Sequence, residues 1–165
     1  AEYLKEGKVV AWYQGKGEIG PRALGNRSLL MNPLITNGKN IINKVKKREA
    51  YRPFGASILK EYVKDYFNTN IENPFMLYVG NVNQDTLQSV THIDKTCRFQ
   101  SVDKTNKIYY QLINEFFKKT GCPLILNTSF NINGKPIMSS TKDAMDYFIN
   151  SDIDVLVIGN KIFKK

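Results

Sequence analysis

Short apolar runs rich in β-formers alternate with amphipathic stretches along most of the chain. The runs that predict strands occupy 9–13, 28–31, 54–59, 74–79, 91–93, 97–102, 123–127 and 155–158. Apolar residues at helical spacing predict helices over 39–48, within 62–67, over 107–119 and from 140 to 149. Strands and helices interleaved in this way indicate an α/β domain around a twisted, mixed β-sheet with flanking helices.

Two of the predicted helices carry end signals. Lys118 and Lys119 precede Gly121, which places cations at the negative end of a helix and glycine at the left-handed position that follows it. Ser140 stands three residues before Asp143, which is a variant of the capping box that opens a helix. These signals predict that one helix ends at about 120 and that another begins just after 140.

Length and composition describe an ordinary globular chain. At 165 residues we predict a single domain over 1–165, and 42% hydrophobic with 24% charged residues excludes a disordered or fibrous protein. No stretch approaches the roughly 20 apolar residues of a membrane span, and the N-terminus lacks the apolar region of a signal peptide. Cys97 and Cys122 are isolated, so we expect a reducing, cytoplasmic protein without a membrane partner.

The charge balance is the unusual feature. Lys and Arg number 24 against 15 Asp and Glu, which gives a formal net charge of +9. An excess of this sign predicts an anionic partner: a nucleic acid, a membrane surface or a phosphorylated small molecule. The net charge alone does not distinguish among these three.

Two cationic segments fall in predicted loops or at the end of a predicted element. Residues 17–28 set Arg22 and Arg27 among glycines, where the backbone can approach a ligand and an Arg fork can hold phosphate with two hydrogen bonds. A tight turn with solvated arginines is the alternative, and the Walker pattern is absent. Residues 43–54 are dense enough in cations to bind an anion, although a run of this kind is more often a solvated helix face. Pro53 keeps Arg52 out of the helical region and so fixes its direction.

Two polar segments lie on or beside predicted strands. Arg98 and Gln100 alternate with apolar residues, so both should point to the same face of the sheet. His92 is the only histidine, and without a nucleophile motif we expect it to be structural and expect no metal site. The segment 126–134 follows a buried strand with Asn127, Ser129 and further polar residues. It predicts either a binding edge or an Asx/Ser turn.

Four motifs together resemble one family. GPRALGNRS, NKVKKREAYRPFGASIL, THIDKTCRFQSV and TGCPLILNTSFNINGKPI occur in the order and spacing found in the C-terminal part of the NodU/CmcH (TobZ-like) O-carbamoyltransferases, and the resemblance runs from Gly7 to Gly159. It implies a YrdC-like α/β fold. It also implies an N-terminal actin-like, metal-binding partner domain of the same enzyme, which this chain does not include.

The resemblance implies an ATP-dependent O-carbamoyltransferase. The YrdC-like domain would bind carbamoyl phosphate and ATP, with Mg²⁺ on the triphosphate, and form carbamoyl-adenylate. The N-terminal domain, which would hold an iron-type metal, would then pass the carbamoyl group to an acceptor hydroxyl. The implied catalytic residues are Arg22, Lys46, Arg52 and Arg98, and the same four would bind carbamoyl phosphate together with Asn127 and Ser129. Of these, Arg22, Arg52, Asn127 and Ser129 would also hold the nucleotide. Arg27, Arg48 and Asn131 are expected in a supporting layer.

Two positions depart from the family pattern. Lys95 stands where the family more often has glycine, and Gly55-Ala56 replaces the usual Ala-Pro before Ser57. Both departures leave the implied anion ligands in place. They are expected to change local backbone shape rather than function.

Two other functions compete with the enzyme. A YrdC-like RNA-binding module would also explain the charge, but nucleic-acid binders interleave exposed aromatics with cations, whereas most aromatics here fall on apolar stripes. Nucleic acid is therefore not the expected partner. A non-catalytic domain that has kept only the fold is disfavoured by the intact set of Arg, Lys, Asn and Ser.

Overall fold

A computed structural model describes all of residues 1–165 and places eight strands in one mixed sheet with helices packed on it. The strands are β1 (Val10–Tyr13), β2 (Arg27–Met31), β3 (Gly55–Leu59), β4 (Val79–Asn81), β5 (Thr96–Val102), β6 (Leu124–Ser129), β7 (Val155–Ile158) and β8 (Lys161–Lys164). The helices are α1 (Glu2–Lys5), α2 (Gly38–Val45), α3 (Val63–Phe67), α4 (Lys107–Thr120) and α5 (Thr141–Ile149).

The sheet has the strand order β4-β5-β3-β6-β2-β1-β7-β8. β3 runs parallel to β5 and antiparallel to β6, and β1 runs antiparallel to β2 and parallel to β7. The predicted twisted, mixed α/β sheet is therefore confirmed. The central strands β5, β3, β6 and β2 bring the loops that follow or precede them to one end of the sheet, where the cationic segments meet.

Helix α4 shows how the apolar pattern becomes core. Tyr109, Ile113 and Phe116 lie on one face at helical spacing and are fully buried. Gly121 ends the helix with φ 73°, as its position after two lysines predicts. Ser140 begins α5 by accepting a hydrogen bond from the Asp143 backbone N–H at 3.0 Å, so the predicted cap is also confirmed.

The predicted strand over 74–79 is wrong except at its last residue. The buried side chain of Asn73 holds this segment in a turn, because its Oδ1 accepts from the Leu77 N–H at 2.8 Å and its Nδ2 donates to the Phe99 carbonyl at 2.6 Å. Met76 within the turn has φ 56°. Side-chain hydrogen bonds to the backbone thus replace the ladder that the apolar run predicts.

Other boundaries also differ from the predictions. The predicted strand over 91–93 is wrong, because the chain turns from His92 to Lys95, where the Lys95 N–H donates to the His92 carbonyl. Lys95 has φ 62°, the conformation that glycine adopts most easily. Helix α2 ends at Val45 rather than at 48, because Lys47 takes φ 52°. Helix α1 and the short edge strand β8 were not predicted. No helix has the length and apolar character needed to cross a membrane.

Candidate anion-binding site

A cleft of about 310 Å³ opens where the loop before β2, the end of α2, the start of β3 and the end of β6 meet. Five cationic side chains and no carboxylate line it. Its polar and charged lining residues are Arg22, Lys46, Arg48, Arg52, Arg98, Asn127, Thr128, Ser129, Asn131 and Asn133. A concentration of positive charge without a balancing acid makes this cleft suited to a polyanion.

All six residues implied by the resemblance as ligands line this one cleft: Arg22, Lys46, Arg52, Arg98, Asn127 and Ser129. Arg48 and Asn131 line it as well. Arg27 does not, because its guanidinium is buried under the Tyr13 ring and donates to the carbonyls of Gln14 and Asn26. Its role is to hold the strand pair β1–β2 together, and it does not reach a ligand.

Lys46 lies at the buried end of the cleft. Its Nζ donates to Asn131 Oδ1 at 2.8 Å and to the Ser129 carbonyl, and Ser129 Oγ is 3.4 Å away. Burial, followed by repulsion from Arg48 and Arg52, lowers the pKa of Lys46 from 10.5 to about 7. Oxygen acceptors favour the ammonium form, but without a carboxylate they do not offset this desolvation. A bound anion would do so.

Arg48 is held rigidly along one wall of the cleft. Its Nε donates to Asn43 Oδ1 at 2.6 Å, its Nη2 donates to the Pro53 carbonyl at 3.1 Å, and its guanidinium lies 4.2 Å from the centre of the Phe54 ring. Burial and the neighbouring Arg52 lower the pKa of Arg48 to about 10, so it stays protonated at neutral pH. The side chain is thus a fixed positive charge beside Lys46.

Three further arginines have guanidinium donors free for a ligand. Arg98 makes no side-chain hydrogen bond or ion pair, and Arg22 donates only to the carbonyl of the preceding residue. Burial and the charge of Arg98 lower the pKa of Arg22, which shows how close the two cations are. Arg52 is half-exposed and only weakly engaged, with Glu49 at 3.7 Å and Asn133 Oδ1 at 3.5 Å.

Asn127 connects the cleft to a buried polar row across β6, β3 and β5. Its Nδ2 donates to the Ser57 hydroxyl at 2.8 Å and to the Ala23 carbonyl at 3.0 Å, and Ser57 in turn donates to Gln100 Oε1 at 2.8 Å. Gln100 points to the same face as Arg98, as the alternation predicts. The Oδ1 of Asn127 is buried without a partner in the protein, which leaves one acceptor for a ligand donor.

Side chains usually associated with covalent or acid–base chemistry lie outside the cleft. His92 Nε2 is 3.2 Å from the Phe54 carbonyl and Nδ1 is 3.1 Å from Thr96 Oγ1, so this histidine braces a turn. Burial raises the pKa of Cys97 to about 12 and that of Cys122 to about 11, so neither thiol ionises at neutral pH. No three His, Cys, Asp or Glu side chains cluster as metal ligands. The titratable side chains that line the cleft are therefore its five cations.

Three residues that line or support the cleft were not predicted from the sequence. Asn133 and Met76 line the cleft, and Glu18 accepts hydrogen bonds from the backbone of the loop that carries Arg22. Asn133 belongs to the polar run that follows β6, so the sequence pattern could have identified it. Glu18 and Met76 carry no such signal, because their roles depend on backbone hydrogen bonds and on a turn.

The chain is similar to several known proteins. The family described as "Carbamoyltransferase C-terminus" matches residues 1–165. The nodulation protein NolNO of Sinorhizobium fredii is 46% identical over all of this chain and 25% of its own length. A 3'-hydroxymethylcephem-O-carbamoyltransferase of Amycolatopsis lactamdurans is 37% identical over 98% of this chain and 32% of its own length. The chain thus spans about a quarter to a third of the length of these relatives.

Among solved structures, full-length HypF, crystallised in a phosphate- and nucleotide-bound form, matches this chain with a TM-score of 0.66. The match covers 96% of this chain and 20% of HypF at 23% identity, and it shows that the two share the YrdC-like fold. The sequence matches and the family model, which spans every residue, agree with each other. The chain belongs to the carbamoyltransferase C-terminal family, and it corresponds to the C-terminal part of the O-carbamoyltransferases.

Proposed function

We propose that this chain binds carbamoyl phosphate and ATP in the five-cation cleft and forms carbamoyl-adenylate there. The observation that carries the proposal is the convergence of Arg22, Lys46, Arg48, Arg52 and Arg98 on one cleft that contains no carboxylate. Membership of a carbamoyltransferase family supports the carbamoyl group as the cargo.

The charges fit the proposed substrates. Carbamoyl phosphate is a dianion and ATP a polyanion, and an Arg fork grips a phosphate with two parallel hydrogen bonds. Arg22 and Arg98 have guanidinium donors available, whereas Arg48 is already oriented by Asn43 and Pro53. Phosphoryl chemistry depends chiefly on positioning and charge neutralisation, so the lack of an acid–base side chain in the cleft is compatible with it.

The proposed reaction balances with one water molecule. Water cleaves carbamoyl phosphate to carbamate and phosphate, and a carbamate oxygen then attacks the α-phosphorus of ATP with release of pyrophosphate. The cations would neutralise the charge that builds up on the phosphoryl oxygens at each step. The unpartnered Asn127 Oδ1 is suited to accept a hydrogen bond from the carbamoyl NH₂.

Mg²⁺ is the expected companion of ATP, held by phosphate oxygens and water because the cleft offers it no carboxylate. An iron-type metal would belong to the N-terminal domain. No carboxylate, histidine or cysteine cluster of this chain suits such a metal.

Transfer to the acceptor is assigned to a region beyond this chain. The relatives are three to four times longer, and the name of the cephem enzyme specifies transfer of a carbamoyl group to a hydroxyl oxygen. We therefore infer that an N-terminal actin-like domain takes the carbamoyl group from the adenylate and supplies the acceptor site. The identity of the acceptor is a property of that domain.

ATP–pyrophosphate exchange tests the proposal. The chain is incubated with ATP, labelled pyrophosphate and Mg²⁺, with and without carbamoyl phosphate. We expect exchange that requires carbamoyl phosphate, and no transfer of the carbamoyl group to an added alcohol by this chain alone. Absence of exchange, combined with tight binding of duplex RNA at physiological salt, would replace the enzyme with the RNA-binding alternative.

A further inference from the structure

The loop 14–26 between β1 and β2 carries Arg22 into the cleft, and side chains from neighbouring strands together with its own Glu18 hold it in place. Three of its carbonyls accept from buried donors: Ala23 from Asn127, Leu24 from Gln100 and Gly25 from the Trp12 indole, at 3.0, 3.1 and 3.0 Å. Loops of this length are ordinarily mobile because water satisfies their backbone. This loop instead has a fixed shape directly after Arg22.

Glu18 supplies the other half of the restraint. Its Oε1 accepts from the backbone N–H groups of Leu24 at 2.8 Å and Asn26 at 3.0 Å, and from Asn26 Nδ2 at 3.3 Å. Its Oε2 accepts from the Arg27 N–H at 3.2 Å. One carboxylate thus satisfies three backbone donors from 24 to 27, and the loop closes around it.

The Glu18 carboxylate has no cationic partner. It forms no ion pair, and the guanidinium of Arg27 points away toward Gln14 and Asn26. Glu18 does not line the cleft but lies on the loop that carries Arg22 into it, and a negative charge on that loop would by itself disfavour an anion. Hydrogen bonds from N–H groups to a charged oxygen are stronger than those to a neutral one, and here three of them act together to hold one loop conformation.

We propose that Glu18 is a positioning residue, which fixes the loop so that Arg22 stands ready opposite Arg98 in the anion cleft; this inference rests on the proposed function. Without the carboxylate, three backbone donors turn to water, and Arg22 samples many orientations. An anion must then order the loop before it binds, which lowers the affinity. Glu18 touches no substrate and acts only through Arg22.

Because Glu18 is negatively charged, the direction in which its replacement changes the anion affinity tests the proposal. Removing one negative charge near a cationic cleft strengthens anion binding if electrostatics alone operates. The loss of positioning weakens it. A Glu18→Gln substitution therefore separates the two, and Glu6→Gln is the matched control because the Glu6 side chain is exposed and makes no contact through its carboxylate.

The experiment titrates sulfate and carbamoyl phosphate into the unaltered chain, Glu18→Gln and Glu6→Gln by calorimetry. We expect Glu18→Gln to lower the affinity for both anions about fivefold or more. Glu6→Gln should leave both affinities unchanged or slightly higher. Thermal unfolding of each variant confirms the native state. Glu18→Asp keeps the charge on a shorter arm, and we expect an intermediate loss; it replaces Glu18→Gln if that variant fails to fold.

A double-mutant cycle shows whether the loss of anion affinity in Glu18→Gln depends on Arg22. On an Arg22→Ala background, Glu18→Gln should cost little further affinity, whereas on an Arg98→Ala background it should cost its full amount. Sulfate affinity in Glu18→Gln equal to or above that of the unaltered chain overturns the inference, as does an undiminished loss on Arg22→Ala. Failure of the unaltered chain to bind carbamoyl phosphate overturns the proposed function instead, while sulfate still tests Glu18.

Discussion

Lys46 shows how burial and like charges prepare one residue for an anion. Its amine is almost completely buried between the ends of α2 and β6, with Arg48 and Arg52 nearby and only neutral oxygens as acceptors. These surroundings lower its pKa to about 7 in the free protein. A bound dianion favours the ammonium form and raises the pKa again, so anion binding above pH 7 takes up a proton.

This coupling predicts a pH-dependent affinity. Sulfate stays a dianion from pH 5.5 to 8.5, so any change in its affinity reports on the protein. We expect a constant affinity below about pH 7, the pKa of Lys46. Above that pH the affinity should fall by up to about tenfold per pH unit, because each binding event must then protonate Lys46. Calorimetric titration in this range measures the profile.

Lys46→Met is the control for this profile. It removes the titrating amine while keeping a long apolar side chain, so sulfate should bind more weakly and with a flat pH dependence over the same range. Arg48, with a pKa of about 10, remains charged throughout. A profile in Lys46→Met that still falls above pH 7 would show that another group titrates.

At the residue scale, the motifs identified which side chains meet but not how each is held. Lys46 contacts Asn131, 85 positions away in the chain, and no local pattern encodes that pair. By spacing alone Arg27 and Arg22 are equivalent among the same glycines, and only the family resemblance placed Arg27 in a supporting layer. The structure separates them, because Arg27 begins β2 and turns inward under Tyr13, whereas Arg22 lies in the loop.

At the scale of elements, the apolar pattern predicted those strands whose stability comes from burial. β3 is buried from its second residue onward and β6 along its first four residues, and both lie close to their predicted positions. The run 74–79 is also apolar but is bent by the side chain of Asn73, a contact that the pattern cannot reveal. β8 escaped prediction because it is an exposed edge strand with lysine at both ends, a composition that protects an edge from aggregation.

The loop 14–26 depends on a glycine as well as on Glu18. Gly25 has φ 98°, and a Cβ there would lie 2.2 Å from the buried Tyr109 ring. We expect Gly25→Ala to destabilise the fold by about 1–3 kcal/mol, as overpacking does, and to weaken anion binding because the loop shifts. Urea unfolding and sulfate titration measure the two effects.

Gly17→Ala is the matched control within the same loop. A Cβ at Gly17 has nothing within 4 Å and no unusual φ to strain it. Its stability and anion affinity should stay close to those of the unaltered chain. Equal stability of the Gly25→Ala and Gly17→Ala variants would show that the loop does not pack as described.

At the scale of the whole molecule, the net charge of +9 is only partly functional. Five cations converge on the cleft, and most other lysines are exposed. Near the cleft, Phe75 and Leu77 are 62% and 67% exposed and flank Met76, which lines it. Exposed apolar residues grouped beside a binding site are typical of a protein interface.

We expect this apolar group to contact the N-terminal domain in a chain that carries both regions. Leu77→Ser should change the unfolding free energy of the present chain by no more than about 0.5 kcal/mol, because the side chain is exposed. It should, however, weaken the association of this chain with the separately produced N-terminal domain. Pull-down or calorimetry measures that association.

Ile162→Ser serves as the control, since Ile162 is 55% exposed on β8 at the opposite edge of the sheet. It should leave the association unchanged. Equal losses from both substitutions, or none from Leu77→Ser, would exclude the Phe75–Leu77 surface as the contact.

The most direct test of the account is a calorimetric titration of carbamoyl phosphate into the unaltered chain and Arg98→Ala. Arg98 makes no side-chain hydrogen bond or ion pair within the protein, so we expect its removal to affect the cleft and leave the fold intact. We expect one binding site, and at least tenfold weaker binding in Arg98→Ala, the loss of about one charge-assisted hydrogen bond. Absence of binding to the unaltered chain, or equal affinity in both proteins, would contradict the claim that this cleft holds carbamoyl phosphate.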